Sequence, residues 1–349
     1  MRLGVEAAVV GGELVEGDVT VSDGVVAAVG VKPAGTAGTA VPGFVDVHIN
    51  GVAGVDFLTA DVVDYRRAAG ALARTGVVAF QPTFVSSHVE AYAEPLAAAS
   101  EAAAAPDGGP FVTGVHLEGP FLSPVWPGAH DPAHLRVPDP GLADRLISAG
   151  PVRMMTLAPE LPGGLHLVER LARAGVAVSC GHTDADAPTA HAAFDRGARA
   201  ITHLHNAHRR WRPRDPGVGG VALVRPDAIV QAIVDGVHLA PEAAYAAFLA
   251  SGPRFCLVTD AIEAAMLEAG EYELGGRPVH VRDGAVRLLD GTLAGSVVTM
   301  DEAVRNLVAS GASLAAAVHA ASTAPARLIA RDDLGALRSS TRIARPASR

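Results

Sequence analysis

From residue 41 onward the chain alternates short apolar runs with alanine- and leucine-rich amphipathic stretches. Many of these stretches end at a glycine, as helices commonly do at their C-termini. Repeated strand–helix units of this length imply parallel strands. With at least seven units in the sequence, a (β/α)8 barrel is favoured over an open sheet, and we expect it to span residues 41–330. The predicted helices are 64–75, 91–105, 141–149, 165–174, 187–197, 241–251 and 300–310.

Two regions break this alternation. Residues 1–40 carry short apolar stretches separated by turn dipeptides such as Gly11-Gly12 and Asp23-Gly24, a pattern typical of hairpins. Residues 271–295 contain two further turn pairs, Gly275-Gly276 and Asp283-Gly284, and we expect a β-hairpin insertion there. A chain of 349 residues that is 49% hydrophobic can bury the core of one barrel-sized domain with a small appendage.

Charge and cysteine content limit the partners and the location. A formal net charge of −9 argues against nucleic acid as a partner. Two cysteines are too few for a disulfide framework, which favours a reducing compartment. The first residues lack the features of a signal peptide, and no run of about 18 apolar residues predicts a membrane span. We therefore expect a cytoplasmic protein with neither a nucleic-acid nor a membrane partner.

Four polar side chains each follow a short apolar run, where a strand is predicted to end. They are Glu118, His182, His203 and Asp260. In a (β/α)8 barrel the catalytic groups lie at the carboxyl ends of the strands. Three protein ligands with one open position are typical of catalytic zinc, which lowers the pKa of a bound water to about 7. Any one histidine at a strand end could be structural, but four such groups in register favour a metallohydrolase.

Lysine content and the first barrel strand restrict the kind of metal site. The one lysine, Lys32, precedes the barrel, which excludes metallohydrolases that bridge two metals with a carbamylated lysine. The segment His48-Ile49-Asn50 resembles the His-x-His metal motif of the amidohydrolase superfamily, with Asn50 in place of the second histidine. An amide is a poor ligand for transition metals. We therefore expect one metal, with His48 as a weak second-site ligand or as a residue that orients the pocket.

Nine segments in order along the barrel resemble the N-acetylglucosamine-6-phosphate deacetylase family. This resemblance implies a small β-sandwich built from both chain termini beside the barrel, with residues 1–40 as its N-terminal part. It also implies a homodimer that acts on an amino-sugar phosphate. The segments are PGFVDVHINGVAGVDF (from residue 42), HLEGPFL (116–122), GAHDP (128–132), CGHTDA (180–185), THLHNAH (202–208), RDPG (214–217), VDGVH (234–238), LVTDAIEAA (257–265) and LAGSVVTMDEAVRNL (293–307).

The resemblance also implies roles for the residues at the strand ends. Glu118, His182 and His203 would ligate one divalent metal, for which zinc is expected and iron, cobalt and manganese are alternatives. Asp260 would activate the water as general base and then protonate the departing amine. His130 would hydrogen-bond the acetamide carbonyl and stabilise the developing oxyanion.

Phosphate binding is indicated by four arginines at positions 209, 210, 212 and 214 of an otherwise acidic chain, because clustered guanidinium groups bind phosphate well. The resemblance implies that Arg214 reaches the phosphate in the neighbouring subunit's site. The other three arginines are as readily explained as solvated loop residues. The remaining substrate contacts that the resemblance implies are Ala129, Asn206, Ala207, His238, Leu293, Ala294 and Gly295.

The sequence departs from the family in two places. His205 replaces an aromatic residue, and His208-Arg209-Arg210 replaces a methionine followed by prolines, so we leave His205 and His208 without a ligand role. Residues 331–349 form an atypical tail, and 336–349 are rich in serine and arginine where a glycine-rich turn and an apolar strand are expected. A truncated C-terminus would leave the small domain with an unpaired sheet edge.

Together these features predict metal-dependent hydrolysis of N-acetylglucosamine 6-phosphate to glucosamine 6-phosphate and acetate, a step of amino-sugar catabolism. Two alternatives remain open from the sequence. One is an enzyme for another N-acyl hexosamine phosphate, such as N-acetylgalactosamine 6-phosphate. The other is a degenerate homologue that binds sugar phosphates without catalysis.

Overall fold

The N-terminal region consists of short strands in two small sheets. In the computed structural model, which describes residues 1–104 and 109–334, β1 pairs antiparallel with β2 and parallel with β5, while β3 and β4 form a separate antiparallel pair. The β1–β2 and β3–β4 turns fall at Gly11-Gly12 and Asp23-Gly24. The strands are β1 (Ala7–Val10), β2 (Glu13–Glu16), β3 (Asp18–Ser22), β4 (Val25–Val31) and β5 (Thr39–Ala40).

Eight parallel strands then form a nearly closed barrel, which confirms the predicted (β/α)8 fold. Their order is β6-β9-β11-β12-β13-β14-β15-β16. Between the last and first strands the connection is made by single hydrogen bonds such as Asp260 N–H to His48 O at 2.8 Å. The strands of this region are β6 (Phe44–Ile49), β7 (Gly51–Val52), β8 (Val55–Asp56), β9 (Val77–Phe84), β10 (Phe111–Val112), β11 (Val115–Glu118), β12 (Val152–Leu157), β13 (Ala177–Cys180), β14 (Ala198–Ile201), β15 (Ile229–Ala232) and β16 (Phe255–Leu257).

Helices surround the barrel and bury one apolar face each against the strands. The seven predicted helices are all present, with ends that differ by up to two residues. Helix α6 was not predicted, because its glycine- and valine-rich sequence is largely buried and has no polar face. The helices are α1 (Val62–Ala73), α2 (Ala93–Ala104), α3 (Pro140–Ala149), α4 (Gly164–Arg173), α5 (Ala187–Asp195), α6 (Gly217–Val224), α7 (Pro241–Ser251), α8 (Met300–Ala309), α9 (Leu314–Ala321) and α10 (Thr323–Leu328).

The expected hairpin at 271–295 is instead a three-stranded antiparallel sheet. It contains β17 (Gly270–Leu274), β18 (Arg277–Arg282) and β19 (Ala285–Leu288). Each of the two predicted turn pairs connects two adjacent antiparallel strands, so the insertion has three strands rather than two. This sheet has its own small apolar core, which includes Val85 and Ile262 from the barrel loops. It thereby places residues 289–295 beside the strand ends.

The last part of the predicted small domain can be described only in part. Residues 331–334 follow α10 as an irregular turn. The expectation of a truncated C-terminus concerns residues 336–349, which lie outside the described residues. Within the described ranges, no helix has the length and apolar character required to cross a membrane.

Candidate active site

Glu118, His182 and His203 meet at the carboxyl end of the barrel. Glu118 ends β11, while each histidine lies two residues beyond its strand, β13 or β14. Glu118 Oε1 is 3.1 Å from His182 Nε2 and 3.0 Å from His203 Nε2, and the two nitrogens are 3.1 Å apart. All three residues are at most 4% exposed.

Hydrogen bonds on the far side of each imidazole fix its tautomer. His182 Nδ1 lies 3.0 Å from the Trp126 carbonyl, and His203 Nδ1 lies 3.1 Å from the Asn206 carbonyl. Because a carbonyl oxygen only accepts, each Nδ1 carries the proton and the neutral ring directs the lone pair of Nε2 towards Glu118.

These three atoms have the arrangement that a divalent cation requires. Two nitrogen lone pairs and a carboxylate oxygen within 3.1 Å repel one another unless positive charge lies between them. Ligands about 2.0–2.1 Å from a tetrahedral zinc ion lie roughly 3.3 Å from one another, close to the observed separations. The set of two imidazoles and one carboxylate suits zinc and neighbouring transition metals. The residues therefore fit a metal.

His130 also approaches Glu118, but its ring has the opposite tautomer. Its Nδ1 accepts a hydrogen bond from the Ser86 N–H at 3.1 Å, so the proton of the neutral ring is on Nε2. This Nε2 lies 3.4 Å from Glu118 Oε2. Glu118, His130 and His182 also lie close enough to share an ion, but a protonated nitrogen cannot ligate one. His130 is thus a hydrogen-bond donor that points into the site.

Asp260 lies three residues beyond β16 and is held by two residues of the first strand segment. Its Oδ1 accepts a hydrogen bond from Asn50 Nδ2 at 2.6 Å and lies 3.1 Å from His48 Nε2. His48 is fully buried and also lies 3.5 Å from Glu118 Oε2. His48, Glu118 and Asp260 could therefore hold an ion as well. Asn50, which the sequence suggested only as a missing ligand, positions the carboxylate.

Burial and neighbouring charges set the protonation states of the cluster. Burial alone raises the pKa of Glu118, but the charge of His48 and the hydrogen bond from His130 hold it well below its usual range. Burial likewise opposes ionisation of Asp260, and the charge of His48 outweighs it and lowers that pKa. Burial lowers the pKa of His203. The cluster therefore combines two ionised carboxylates with a neutral His203 imidazole, which are groups that can ligate a cation.

The backbone at these positions is strained. His182, His203 and Asp260 have φ angles of +47°, +30° and +49°, which side-chain-bearing residues rarely adopt. Neighbouring contacts hold the His182 turn in place, because Glu160 accepts hydrogen bonds from the Thr183 hydroxyl and, at 2.6 Å, from the N–H of the following residue. Strain of this kind, held by its surroundings, is common at functional sites.

A cavity of about 650 Å³ opens above the cluster. Gly128 forms part of its wall with φ at +56°, and a Cβ there would lie 2.9 Å from His182 Cε1. The predicted residues that line the cavity are Glu118, Ala129, His130, His182, His203, Asn206, Ala207, His238, Asp260, Leu293 and Gly295.

Three predicted residues lie elsewhere within the described part of the chain. His48 is buried behind the cluster, where it contacts Glu118 and Asp260. Ala294 is buried in the core of the three-stranded sheet, and its N–H donates to Val286 O at 3.1 Å, so it has no side chain or N–H to offer a substrate. Arg214 is exposed and does not reach the cavity of its own chain.

His238 is oriented by a residue that the sequence did not single out. Asp235 Oδ2 lies 2.7 Å from His238 Nδ1, and Asp235 Oδ1 accepts the His238 N–H at 2.8 Å. Burial opposes ionisation of Asp235, but the hydrogen bond from His238 outweighs it and lowers the carboxyl pKa. An ionised Asp235 accepts the proton that His238 carries on Nδ1 and thereby fixes the orientation of the ring at the cavity wall.

The loop after His203 offers fewer backbone donors than expected. The Asn206 N–H already donates to His203 O at 3.0 Å, so it is not available to a phosphate. The Ala207 N–H has no acceptor among the described residues. Arg210 and Trp126 also line the cavity. The sequence pattern does not distinguish Arg210 and Trp126 from solvated neighbours, so their place at the cavity is known only from the structure of the loops.

A (β/α)8 barrel with two histidines and a carboxylate at its strand ends is the architecture of barrel metallohydrolases. The sequence profile of the amidohydrolase family matches residues 39–339, and the chain belongs to this family. It is 40% identical over 306 residues to N-acetylglucosamine-6-phosphate deacetylase from Bos taurus, an alignment covering 82% of this chain and 74% of the relative. It is 35% identical over 328 residues to N-acetylgalactosamine-6-phosphate deacetylase from Escherichia coli O157:H7, covering 91% and 86%.

Solved structures show the same similarity. N-acetyl-D-glucosamine-6-phosphate deacetylase from Mycobacterium smegmatis, as an aspartate-to-alanine variant in complex with N-acetyl-D-glucosamine-6-phosphate, superposes with a TM-score of 0.90 at 34% identity. That alignment covers 97% of this chain and 93% of the other. N-acetylglucosamine-6-phosphate deacetylase from Thermotoga maritima also gives a TM-score of 0.90, at 32% identity, covering 98% and 93%.

Proposed function

We propose that this protein is a metal-dependent deacetylase that hydrolyses N-acetylglucosamine 6-phosphate to glucosamine 6-phosphate and acetate in amino-sugar catabolism. The proposal rests mainly on the arrangement of Glu118, His182 and His203. Their acceptor atoms lie within 3.1 Å of one another on the floor of the cavity. Asp260 lines the same cavity. Relatives that carry this activity in their names align along most of the chain.

Glu118 Oε1, His182 Nε2 and His203 Nε2 would hold the cation. When bound, a divalent metal supplies Lewis acidity that activates water and polarises the amide carbonyl. Asp260 accepts a proton from the attacking water, and the hydroxide adds to the carbonyl carbon. His130 Nε2–H donates to the carbonyl oxygen as negative charge develops there. The C–N bond then breaks, Asp260 returns its proton to the amine nitrogen, and the acetyl group leaves as acetate.

Asn50 and His48 keep Asp260 ready for this exchange. Both contact Oδ1 of the carboxylate, and no residue in the described ranges hydrogen-bonds Oδ2. Oδ2 is therefore the oxygen that takes up and returns the proton. Because Asn50 occupies the position of a second metal histidine, we propose one metal per chain, with His48 as a residue that orients Asp260. Zinc is the expected ion, and iron, cobalt and manganese suit the same ligands.

The phosphate would lie at the mouth of the cavity. His238, held by Asp235, and the Ala207 N–H supply donors there. Arg214, exposed on its own subunit, would reach the site of a neighbour, which requires a homodimer. Cys180 and Cys256 are both buried and unpaired, in keeping with the reducing cytoplasmic compartment that we propose.

A second substrate has support from one comparison. The Escherichia coli relative is named for N-acetylgalactosamine 6-phosphate, which differs from the proposed substrate in the configuration of one hydroxyl group. The degenerate, non-catalytic alternative is disfavoured because every group needed for the reaction is present in register.

The test is acetate release by purified protein supplied with Zn²⁺, measured with both hexosamine phosphates. Asp260→Asn serves as the matched variant, since it keeps the shape of the side chain and the ligand set while removing the proton acceptor. We expect release from N-acetylglucosamine 6-phosphate and a large loss in Asp260→Asn. Metal binding without acetate release from either substrate would rule out the enzyme proposal.

A further inference from the structure

Arg210 differs from the other arginines of its loop. Among the residues that the structure describes, it is the one arginine or lysine that lines the cavity. Arg209, its neighbour, turns away and pairs with Asp215 at 2.9 Å and with Asp184 at 3.2 Å. Arg212 and Arg214 are exposed and lie outside the cavity wall.

Backbone hydrogen bonds hold the loop on both sides of Arg210, but the Arg210 side chain is not neutralised. The Arg209 N–H donates to Thr183 O at 2.9 Å, and the backbone groups of Arg212 and Asp215 exchange hydrogen bonds of 2.9 and 3.0 Å. Asp184, which pairs with Arg209, also accepts a hydrogen bond from Trp126 on the cavity wall at 2.8 Å. The Arg210 guanidinium itself has no ion pair or hydrogen bond to any described residue. It is therefore an unpaired positive charge on the cavity wall.

The floor of the cavity is buried and negatively charged, whereas its mouth is exposed and carries a positive charge. The two lining carboxylates, Glu118 and Asp260, are 3% and 7% exposed, whereas Arg210 is exposed. A ligand that places its amide on the floor therefore directs its other end towards the arginine. In a hexosamine 6-phosphate that end carries the phosphate, for which guanidinium is a strong bidentate partner.

We propose that Arg210 contacts the 6-phosphate from within the same subunit and makes the site selective for phosphorylated substrates. This assignment rests on the proposed function. Each subunit then has a cationic phosphate contact of its own, and Arg214 of the neighbour adds to it. The three arginines of residues 209–212 thus have different roles, because only the middle one faces the ligand.

The kinetic test compares Arg210→Ala with Arg212→Ala, an exposed arginine of the same loop that does not line the cavity. With N-acetylglucosamine 6-phosphate we expect Arg210→Ala to raise KM by roughly 10- to 100-fold, the effect of one hydrogen bond to a charged group. With unphosphorylated N-acetylglucosamine, kcat/KM should change less than about twofold. Arg212→Ala should match wild type with both substrates. Equal losses with both substrates in Arg210→Ala would overturn the assignment.

A binding measurement separates this inference from the proposed function. Calorimetric titration with glucosamine 6-phosphate and with inorganic phosphate reports the contact without catalysis. Wild type and Arg212→Ala should bind alike, and Arg210→Ala should bind roughly 10-fold or more weakly. If wild type releases no acetate yet shows this pattern, the deacetylase proposal fails while the phosphate contact stands. If all three proteins bind equally, the assignment of Arg210 is wrong.

Discussion

Replacing His130 with alanine separates two roles that its position allows. The ring lies near enough to Glu118 and His182 to share a metal with them, and it also presents a donor to the cavity. Because the Ser86 N–H donates to His130 Nδ1, the neutral ring carries its proton on Nε2 and cannot ligate a cation. We therefore expect His130→Ala to keep its metal and to lose catalytic rate.

The size of that loss follows from the environment of the donor. His130 is 4% exposed, and its Nε2 lies 3.4 Å from Glu118 Oε2, so little water is available to replace it. Removal of one preorganised oxyanion donor typically lowers kcat by about 10²–10³-fold, or about 2.7–4 kcal/mol. We expect a loss of about 10²-fold in kcat with KM changed by less than about threefold. The unpaired Ser86 N–H should also lower the free energy of unfolding by about 1–3 kcal/mol.

The assay combines steady-state acetate release with metal content by mass spectrometry. His203→Ala is the matched control, since it removes an equally buried imidazole whose Nε2 is unprotonated. Thermal unfolding of both variants establishes that they are folded. The control should lose its metal, whereas His130→Ala should retain it. Equal loss of metal from the two variants would refute the tautomer reasoning.

Two further predictions concern buried carboxylates. Asp235→Asn removes the charge that orients His238, so KM for the phosphorylated substrate should rise by about tenfold at nearly constant kcat; a fall in kcat alone would contradict this role. Burial raises the pKa of Asp46 to about 6, above its unfolded value of about 3.9, so the folded state binds the extra proton between these values. Asp46 should therefore lower the free energy of unfolding by about 2 kcal/mol as pH rises from 4 to 7. In urea unfolding of the metal-free protein, wild type should lose about 2 kcal/mol more than Asp46→Asn over this range, and identical pH profiles would exclude the effect.

The barrel and the floor of its site could be predicted from local sequence. Each strand is a short apolar run, and a polar residue just beyond it must lie at the carboxyl end of a parallel barrel. This rule brings Glu118, His182, His203 and Asp260 together without knowledge of the loops. Local sequence does not predict α6, which has no polar face. It also does not predict the third strand of the small sheet, which forms because both turn pairs connect antiparallel strands.

The mouth of the cavity depends on the loops, where neighbours in sequence have different environments. Arg209 pairs with two aspartates while Arg210 faces the cavity. Ala294 is buried while Leu293 and Gly295 line the wall. The tautomers of His130 and His182 are set by the partners of their Nδ1 atoms, which come from distant segments. Local sequence contains none of these relations.

We propose that Glu118, His182 and His203 hold one catalytic metal. The most direct measurement is acetate release from N-acetylglucosamine 6-phosphate by chelator-treated protein as Zn²⁺ is added back, with the bound metal counted in the same samples. We expect no activity without metal and a linear rise in activity that ends at one ion per chain. We also expect Glu118→Ala neither to retain the ion nor to recover activity. Full activity in metal-free protein, or full metal content in Glu118→Ala, would rule out this metal site.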